Sequence, residues 1–277
     1  MSSFTHLVVL DFEATCDDEE PPDPQEIIEF PSVLLKLDGL EVVSEFESFV
    51  RPVHHPVLTR FCTELTSITQ DQIENAPTFP EVFAAHQRWL ESNGLPLEPD
   101  DSGALPYALV TCGDWDLQTM LPGQLRASDP PFDFMPHPYR RWINVKDPFR
   151  RWNKKMKRAG MARMLEALDL ELIGHHHRGI DDTRNIARLT KALIARHQPM
   201  VITGELSASR YPPLTLTLER WGERVEVELA KRAMGTLLGL ASGTFHKQAK
   251  QVFEGDRELT EDAHLRELRN GAVLRIA

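Results

Sequence analysis

Short apolar runs and one clear helical pattern mark the larger elements of the first part of the chain. The run Leu7-Val8-Val9-Leu10 is brief and continuous, as is typical of a strand buried in a sheet, and residues 108–111 form a second such run. Farther along, Ile186, Leu189 and Leu193 recur at the spacing of one helix face. The pattern predicts a domain that combines buried strands with amphipathic helices.

The hydrophobic pattern changes near Gly204. Residues 214–218 and 225–229 alternate apolar and polar side chains, and Trp221-Gly222 between them supplies a turn, so a β-hairpin is predicted. Residues 234–245 are apolar but contain three glycines, which predicts a short helix of low intrinsic stability. We expect three segments: a first domain over 1–204, a linker over 205–213 and a second domain over 214–277.

Two acids close the first apolar run. Asp11 and Glu13 are two residues apart, so a continuing strand would point both carboxylates to one face and Phe12 to the other. Paired carboxylates are hard-oxygen ligands, which suit Mg²⁺ or Mn²⁺. Alone, such a pair is more often a solvated strand end.

More acids follow the later elements. Asp116 comes after the turn at Gly113, at the predicted start of a helix, and Asp114 competes with it for the same role. Asp182 falls in the first turn of the helix that contains Ile186, with Asp181 as its competitor.

The order Asp-x-Glu, Asp and His-x4-Asp resembles the DEDDh group of 3′-5′ exonucleases. This resemblance selects Asp116 over Asp114, and the His-x4-Asp spacing selects Asp182 over Asp181 and His177 within the triplet 175–177. We expect Asp181 to act as a helix cap or to support the ligands, and His175 and His176 to be exposed loop residues. Five short sequence segments resemble the Eri-type exoribonucleases: residues 11–16, 26–31, 65–70, 142–145 and 179–187.

The resemblance covers about residues 5–204 and implies a fold, an activity and a set of site residues. The fold is the α/β RNase H-like exonuclease fold, a mixed central sheet flanked by helices. The four carboxylates would hold two divalent ions, Mg²⁺ or Mn²⁺, and His177 would be the general base. The reaction would release nucleoside 5′-monophosphates from single-stranded RNA 3′ ends. The implied pocket for the terminal nucleotide consists of Phe12, Ala14, Thr15, Leu65, Thr66, Ile68 and Trp115.

Two features of the pocket stay open at this stage. Trp115 is predicted either to stack on the terminal base or to pack in the core, with nearly equal weight. Ser67 stands where the family often has glycine, so the local turn is either altered or only shifted in its conformational preference, and we expect catalysis to be retained.

The net charge of −11 lies entirely in residues 1–204, which hold 20 basic and 31 acidic side chains. Residues 140–158 are an exception, with nine basic side chains against Asp147 alone, and form a candidate track for the RNA backbone or an exposed basic helix without a ligand. Within this segment, Lys154 and Lys155 are predicted phosphate contacts, and Arg178 and Arg184 near the catalytic loop are weaker candidates.

Composition bounds the remaining classes of protein. The chain contains no apolar stretch of about 20 residues, and residues 1–10 do not have the pattern of a signal peptide, so we expect a cytoplasmic protein without a membrane partner. Cys16, Cys62 and Cys112 are too few and too scattered for a disulfide framework or a zinc site of the Cys-x2-Cys type.

The order of elements in residues 214–277 resembles the ubiquitin-like β-grasp fold, a small α+β domain. Residues 252–255 and 258–262 carry part of that resemblance, and the chain has no terminal diglycine for conjugation. A docking module for a protein partner and a passive appendage are equally compatible with it.

Together these observations predict a metal-dependent 3′-5′ exoribonuclease. The alternatives are an exonuclease that acts on DNA or on both nucleic acids, and a non-catalytic nucleic-acid-binding adaptor whose function lies in the second domain.

Overall fold

The computed structural model of the protein describes residues 4–101, 103–132, 135–206, 214–229, 234–261, 264–265, 268 and 271–277. The described residues divide into two compact units. The first covers 4–130 and 136–206, and the second covers the remainder. None of the helices in these ranges has the length and hydrophobicity that a membrane crossing requires.

A seven-stranded mixed sheet forms the centre of the first unit. Its strands are β1 (His6–Leu10), β2 (Glu13–Ala14), β3 (Ile27–Lys36), β4 (Glu41–Phe49), β5 (Tyr107–Thr111), β6 (Arg141–Asn144) and β7 (Gly204–Glu205). The order is β2-β3-β1-β5-β6-β7, and β4 also pairs with β3. β1, β5 and β6 are parallel to one another, while β3 and β7 run antiparallel to their neighbours. Because β1 and β5 are parallel neighbours, the residues that follow them emerge at the same edge of the sheet.

Helices cover the sheet of the first unit. They are α1 (Arg60–Thr66), α2 (Gln70–Glu74), α3 (Phe79–Ser92), a π-helix (Asp116–Met120), α4 (Leu121–Ala127), a 3-10 helix (His137–Arg140), α5 (Lys146–Trp152), α6 (Met161–Ala167) and α7 (Gly179–Ala195). The apolar face of α7, with Ile186, Leu189 and Leu193, packs with Leu7 and Val9 of β1 in one buried cluster. The predicted face of this helix and the predicted buried strand therefore form one core.

The first unit extends two residues past its predicted end. Gly204 and Glu205, placed by the sequence at the domain boundary and in the linker, form β7 and pair with Trp142 and Arg141 of β6. The next residue, Leu206, is buried and its backbone N–H donates to the carbonyl of Arg140. The remaining part of the predicted linker, 207–213, lies outside the described residues.

Among its described residues, the second unit has five strands and the helix α8 (Met234–Thr244), and residues 264–265 are also helical. The strands are β8 (Leu214–Arg220), β9 (Glu223–Leu229), β10 (Val252–Glu254), β11 (Arg257–Leu259) and β12 (Ala272–Ile276). The predicted hairpin is confirmed, since β8 and β9 pair antiparallel across the turn at Trp221-Gly222. The sheet order is β11-β10-β12-β8-β9, with β12 parallel to β8. Leu237 and Ala241 of α8 share one buried cluster with Leu216 and Leu218 of β8.

Candidate active site

The first acidic pair lies where the chain leaves β1. β1 ends at Leu10, and the chain joins the sheet again at Glu13, where β2 pairs with β3 through a shift of register. Phe12 between the acids is buried, and its ring packs edge-on against Phe30 with centroids 4.6 Å apart. The predicted unbroken strand through Asp11 and Glu13 is therefore wrong. The two carboxylates nonetheless converge, because Asp11, Glu13 and Asp182 offer oxygen atoms that all lie within 4.8 Å of one another.

The start of α7, which carries Asp182, is fixed by the buried carboxylate of Glu29 in β3. That carboxylate accepts hydrogen bonds from the backbone N–H groups of Gly179 and Ile180 at 3.0 and 3.2 Å. The first N–H groups of a helix have no partner within the helix and carry partial positive charge, so a carboxylate stabilises them. A Cβ on Gly179 would lie 3.1 Å from both Glu29 and the Asp11 carbonyl, so α7 begins where a side chain has little room. Asp182 lies in the first turn of α7, as predicted.

Asp116 is the fourth predicted ligand, and it lies beside the other three. It begins the π-helix, is 4% exposed, and accepts a hydrogen bond from the backbone N–H of Phe12 through Oδ1 at 2.9 Å. Its oxygens do not belong to the group of oxygen atoms from Asp11, Glu13 and Asp182 that lie within 4.8 Å of one another. Asp114, the competing acid, accepts a hydrogen bond from Nε1 of Trp142 in β6 at 2.9 Å, so its carboxylate already has a partner in the sheet.

The histidine loop contacts Asp182 in two ways. The backbone N–H of His177 donates to Oδ2 of Asp182 at 2.9 Å, and Nδ1 of His176 lies 2.9 Å from the same oxygen. The exposed rings of His176 and His177 stack with centroids 4.0 Å apart. His175 and His176 are exposed as predicted, but the prediction missed the contact between His176 and Asp182. Asp181 faces the loop and accepts the backbone N–H of His175.

Burial, together with the closeness of several acids, raises the pKa values of the carboxyl groups in the site. Burial raises the pKa of Glu13 to about 10, with further upward contributions from Asp11 and Asp182. Burial also raises the pKa of Asp116 to about 6 and that of Asp11 well above its usual range. Protons or cations are needed to hold such acids together. A divalent cation that binds through carboxylates and water fits this donor set.

Lys146 is a charged neighbour of the acids that the sequence analysis did not single out. It is the first residue of α5, and its Nζ lies 3.6 Å from the place where a Cβ on Gly113 would be. Its positive charge lowers the pKa of both Asp11 and Asp116 against the effect of burial. In the sequence it was one of nine basic residues in 140–158, and nothing in that run distinguished it.

The predicted pocket residues differ in accessibility. Trp115 is 40% exposed, so it is not the core residue that one prediction allowed. It lies on a cavity of about 620 Å³ that is also lined by His54 and Arg126. Leu65 is half-buried. The other predicted pocket side chains are buried: Phe12, Ala14, Thr15, Thr66 and Ile68.

Ser67 keeps the backbone turn for which glycine is better suited. It follows α1 with φ of 60°, in the left-handed region that disfavours residues with a Cβ. Its Oγ lies 3.1 Å from Nε2 of His175. The segment 65–68 is thereby linked to the histidine loop.

The predicted phosphate contacts behave differently from one another. Lys154 and Lys155 are exposed in the turns that follow α5, so only the first part of the basic segment after β6 is helical. Arg178 is already paired, with Nε 3.1 Å from Glu29 and a terminal nitrogen 2.9 Å from Glu47. The guanidinium also lies over the ring of Phe49, and the role of Arg178 as a phosphate contact stays a prediction.

Comparison with known proteins identifies the family. A family model described as RNase T, exonuclease, matches residues 8–190, which include all five predicted ligand and base positions. The chain belongs to the exonuclease family. The chain is 42% identical over 196 residues to ERI1 exoribonuclease 3 of Homo sapiens, and this match covers 70% of this chain and 55% of the relative. It is 35% identical over 198 residues to 3′-5′ exoribonuclease 1 of Homo sapiens, covering 70% and 53%.

Solved structures agree with the fold of the first unit. The nuclease domain of 3′hExo, described as a DEDDh family member bound to rAMP, has a TM-score of 0.64 and 33% identity, and the match covers 74% of this chain and 99% of that chain. A 3′-exonuclease described as recognising the 3′ end of the histone mRNA stem-loop has a TM-score of 0.67 and 30% identity. The match covers 82% of this chain and 71% of that chain. The RNase H-like exonuclease fold is thereby confirmed. The chain spans about half the length of the curated relatives that it matches.

Proposed function

We propose that the protein is a metal-dependent 3′-5′ exonuclease that removes nucleoside 5′-monophosphates from single-stranded RNA ends. The observation that carries the proposal is the convergence of oxygens from Asp11, Glu13 and Asp182 within 4.8 Å, with buried Asp116 beside them. These residues come from the end of β1, from β2, from the start of α7 and from the π-helix. The names of the relatives support RNA as the substrate.

The four carboxylates would hold two divalent ions, Mg²⁺ or Mn²⁺. Bound there, the ions supply positive charge that offsets the repulsion between an anionic phosphodiester and its nucleophile. The chain supplies the position of the charges. Glu29 fixes the first turn of α7 and so the place of Asp182, while the backbone N–H of Phe12 fixes one oxygen of Asp116 and leaves the other for a ligand role.

His177 is the proposed general base. Desolvation and the neighbouring His176 lower the pKa of His177, so the imidazole is neutral near pH 7 and a ring nitrogen has a lone pair that accepts a proton. Asp182 opposes this shift. The ring is exposed on a loop, and one of its nitrogens lies within 4.8 Å of a carboxylate oxygen of Asp182 in the first turn of α7.

Trp115 is the proposed platform for a base at the 3′ end. An indole that is 40% exposed offers a flat apolar surface, and stacking on it is tolerant of base identity. The cavity beside it contains Arg126, whose positive charge is suited to a backbone phosphate. The relative whose structure is described as bound to rAMP supports a mononucleotide product.

Residues 214–277 are proposed to form a ubiquitin-like β-grasp domain. The support is the sheet order β11-β10-β12-β8-β9, with one helix between the first hairpin and the later strands and a final strand parallel to the first. We propose that this domain docks a protein partner and is not part of the catalytic site. Removal of residues 207–277 is therefore expected to leave digestion of a short single strand intact.

The test of the activity is a time course on 5′-labelled RNA and DNA strands of identical sequence, with Mg²⁺, with Mn²⁺ and with EDTA. We expect a ladder that shortens from the 3′ end of the RNA, mononucleotide products and no reaction in EDTA. Asp11→Asn serves as the inactive control, and Asp38→Asn, at an exposed turn, is the matched control. Cleavage that survives EDTA, or a ladder that shortens from the 5′ end, would refute the proposal, and faster loss of the DNA would reassign the substrate.

A further inference from the structure

The loop before α7 brings together a second set of metal-ligating atoms. His176, His177 and Asp182 each offer one such atom, and these three atoms lie within 4.8 Å of one another. Nδ1 of His176 is 2.9 Å from Oδ2 and 3.2 Å from Oδ1 of Asp182. The set differs from the acidic group in having two imidazoles and one carboxylate.

The two sets of ligands prefer different ions. Two imidazole nitrogens with one carboxylate are typical of zinc sites, which often have three protein ligands and one water. The all-oxygen group of Asp11, Glu13 and Asp182 suits Mg²⁺ or Mn²⁺. Asp182 belongs to both groups. An ion held by the histidines therefore competes for a ligand of the acidic group.

We propose that His176, His177 and Asp182 form an inhibitory site for Zn²⁺. Its occupation competes with the acidic group for the carboxylate of Asp182, both of whose oxygens lie within 3.2 Å of Nδ1 of His176. It also engages the ring of His177 and so occupies the lone pair that would accept a proton. The binding of Zn²⁺ is independent of the proposed nuclease function, whereas the inhibition rests on it.

The ligand atoms are already near one another, but the stacked rings of His176 and His177 must turn for both nitrogens to face one ion. Ligand atoms around a tetrahedral Zn²⁺ are about 3.3 Å apart for bonds of about 2.0 to 2.1 Å. The contact of 2.9 Å between His176 and Asp182 is already close to that separation. The side chain of His176 is 42% exposed, so it can turn without disturbing the core, and solvent can supply the fourth ligand.

Two contacts that hold the loop do not use these ligand atoms. Asp181 accepts the backbone N–H of His175 at 2.9 Å, and Nε2 of His175 lies against Ser67. His175 therefore has a partner of its own and is outside the three-residue group. This difference between adjacent histidines provides a matched pair of variants.

The direct test is calorimetric titration of Zn²⁺ into the metal-free full chain, for the wild type, His176→Ala and His175→Ala. We expect one strong site in the wild type and in His175→Ala, and an affinity lower by about tenfold or more in His176→Ala. Visible absorption of bound Co²⁺ gives a second readout, and we expect intense tetrahedral bands in the wild type and in His175→Ala only. Circular dichroism establishes that each variant is folded, and His176→Gln replaces the alanine variant if that one is not.

Unchanged Zn²⁺ affinity in His176→Ala and His176→Gln would overturn the proposed site. So would a loss of affinity confined to His175→Ala. These outcomes are read without any RNA, so they stand apart from the result of the digestion assay.

The inhibition is tested by adding Zn²⁺ to digestions supported by Mg²⁺, with each rate expressed relative to the same variant without Zn²⁺. We expect the half-inhibitory concentration to rise by about tenfold or more in His176→Ala and to stay unchanged in His175→Ala. Equal inhibition of both variants would overturn the inhibitory role. An absence of digestion under Mg²⁺ alone would instead refute the proposed nuclease function.

Discussion

Replacement of Glu13 by glutamine is expected to stabilise the cation-free protein. The pKa of Glu13 rises from 4.5 to about 10 on folding, first through burial and then through the charges of Asp11 and Asp182. The folded protein therefore holds a proton that the unfolded chain releases between those two values. In this window the stability of the cation-free wild type falls as the pH rises, and glutamine, which does not ionise, removes the dependence.

The size of the effect follows from the pKa shift. Each pH unit above 4.5 costs the folded wild type at most about 1.4 kcal/mol up to the raised pKa. The gain in Glu13→Gln is thus at most about 2 kcal/mol at pH 6 and about 5 kcal/mol at pH 8. These are upper limits, because Glu13 is only half-buried and water reaches part of its carboxylate.

The assay is urea unfolding in EDTA at pH 6 and pH 8, followed by tryptophan fluorescence. Four of the five tryptophans lie in the first unit, so the signal reports mainly on the unit that contains the site. Glu41→Gln, at an exposed strand position, is the matched control and should leave the stability unchanged at both pH values. Added Mg²⁺ should reverse the order by stabilising the wild type more than Glu13→Gln. A variant that is less stable than the wild type in EDTA at pH 8, or a difference that does not grow with pH, would refute the reasoning.

Four further predictions follow from single contacts. Asp182→Asn should abolish mononucleotide release while the far-ultraviolet circular dichroism stays native, and retained turnover would remove Asp182 from the ligands. Glu29→Gln should destabilise the protein by about 1 to 3 kcal/mol in urea unfolding, because two backbone N–H groups of α7 lose a charged acceptor, and an unchanged midpoint would contradict that role. Gly204→Ala should lower the melting temperature, since its Cβ would overlap the buried ring of Trp142, and a native melting curve would show that the ring can move. Ser67→Gly should raise stability by about 0.5 to 1 kcal/mol through relief of its positive φ, and the loss of its contact with the histidine loop is the competing effect that a decrease would reveal.

The positions of the main acids of the candidate site could be predicted from the sequence because they follow from simple rules of chain geometry. Asp11 follows a buried strand, and Asp182 falls in the first turn of an amphipathic helix, so both are placed by local pattern. The break in the strand at Phe12 could not be predicted, because it depends on the pairing of β2 with β3.

Other features of the site depend on contacts between distant parts of the chain. Arg178 looked like a phosphate ligand by charge alone, but its partners Glu29 and Glu47 are in strands far from it in sequence. Lys146 lies in a run of basic residues that look alike in the sequence. Only its position at the start of α5 in the folded chain brings its charge close enough to lower the pKa of Asp11. The spacing rule that selected His177 gave no information about His176, whose contact with Asp182 depends on the shape of the loop.

The origin of the site in both ends of the first unit has a consequence during synthesis. Asp11 leaves the ribosome early, whereas Asp182 and the carboxylate contact that seats α7 become available only when most of that unit has been translated. A nascent chain thus holds an incomplete set of ligands while it is still close to its own messenger RNA. Assembly of the candidate site is thereby postponed until the fold around it is nearly finished.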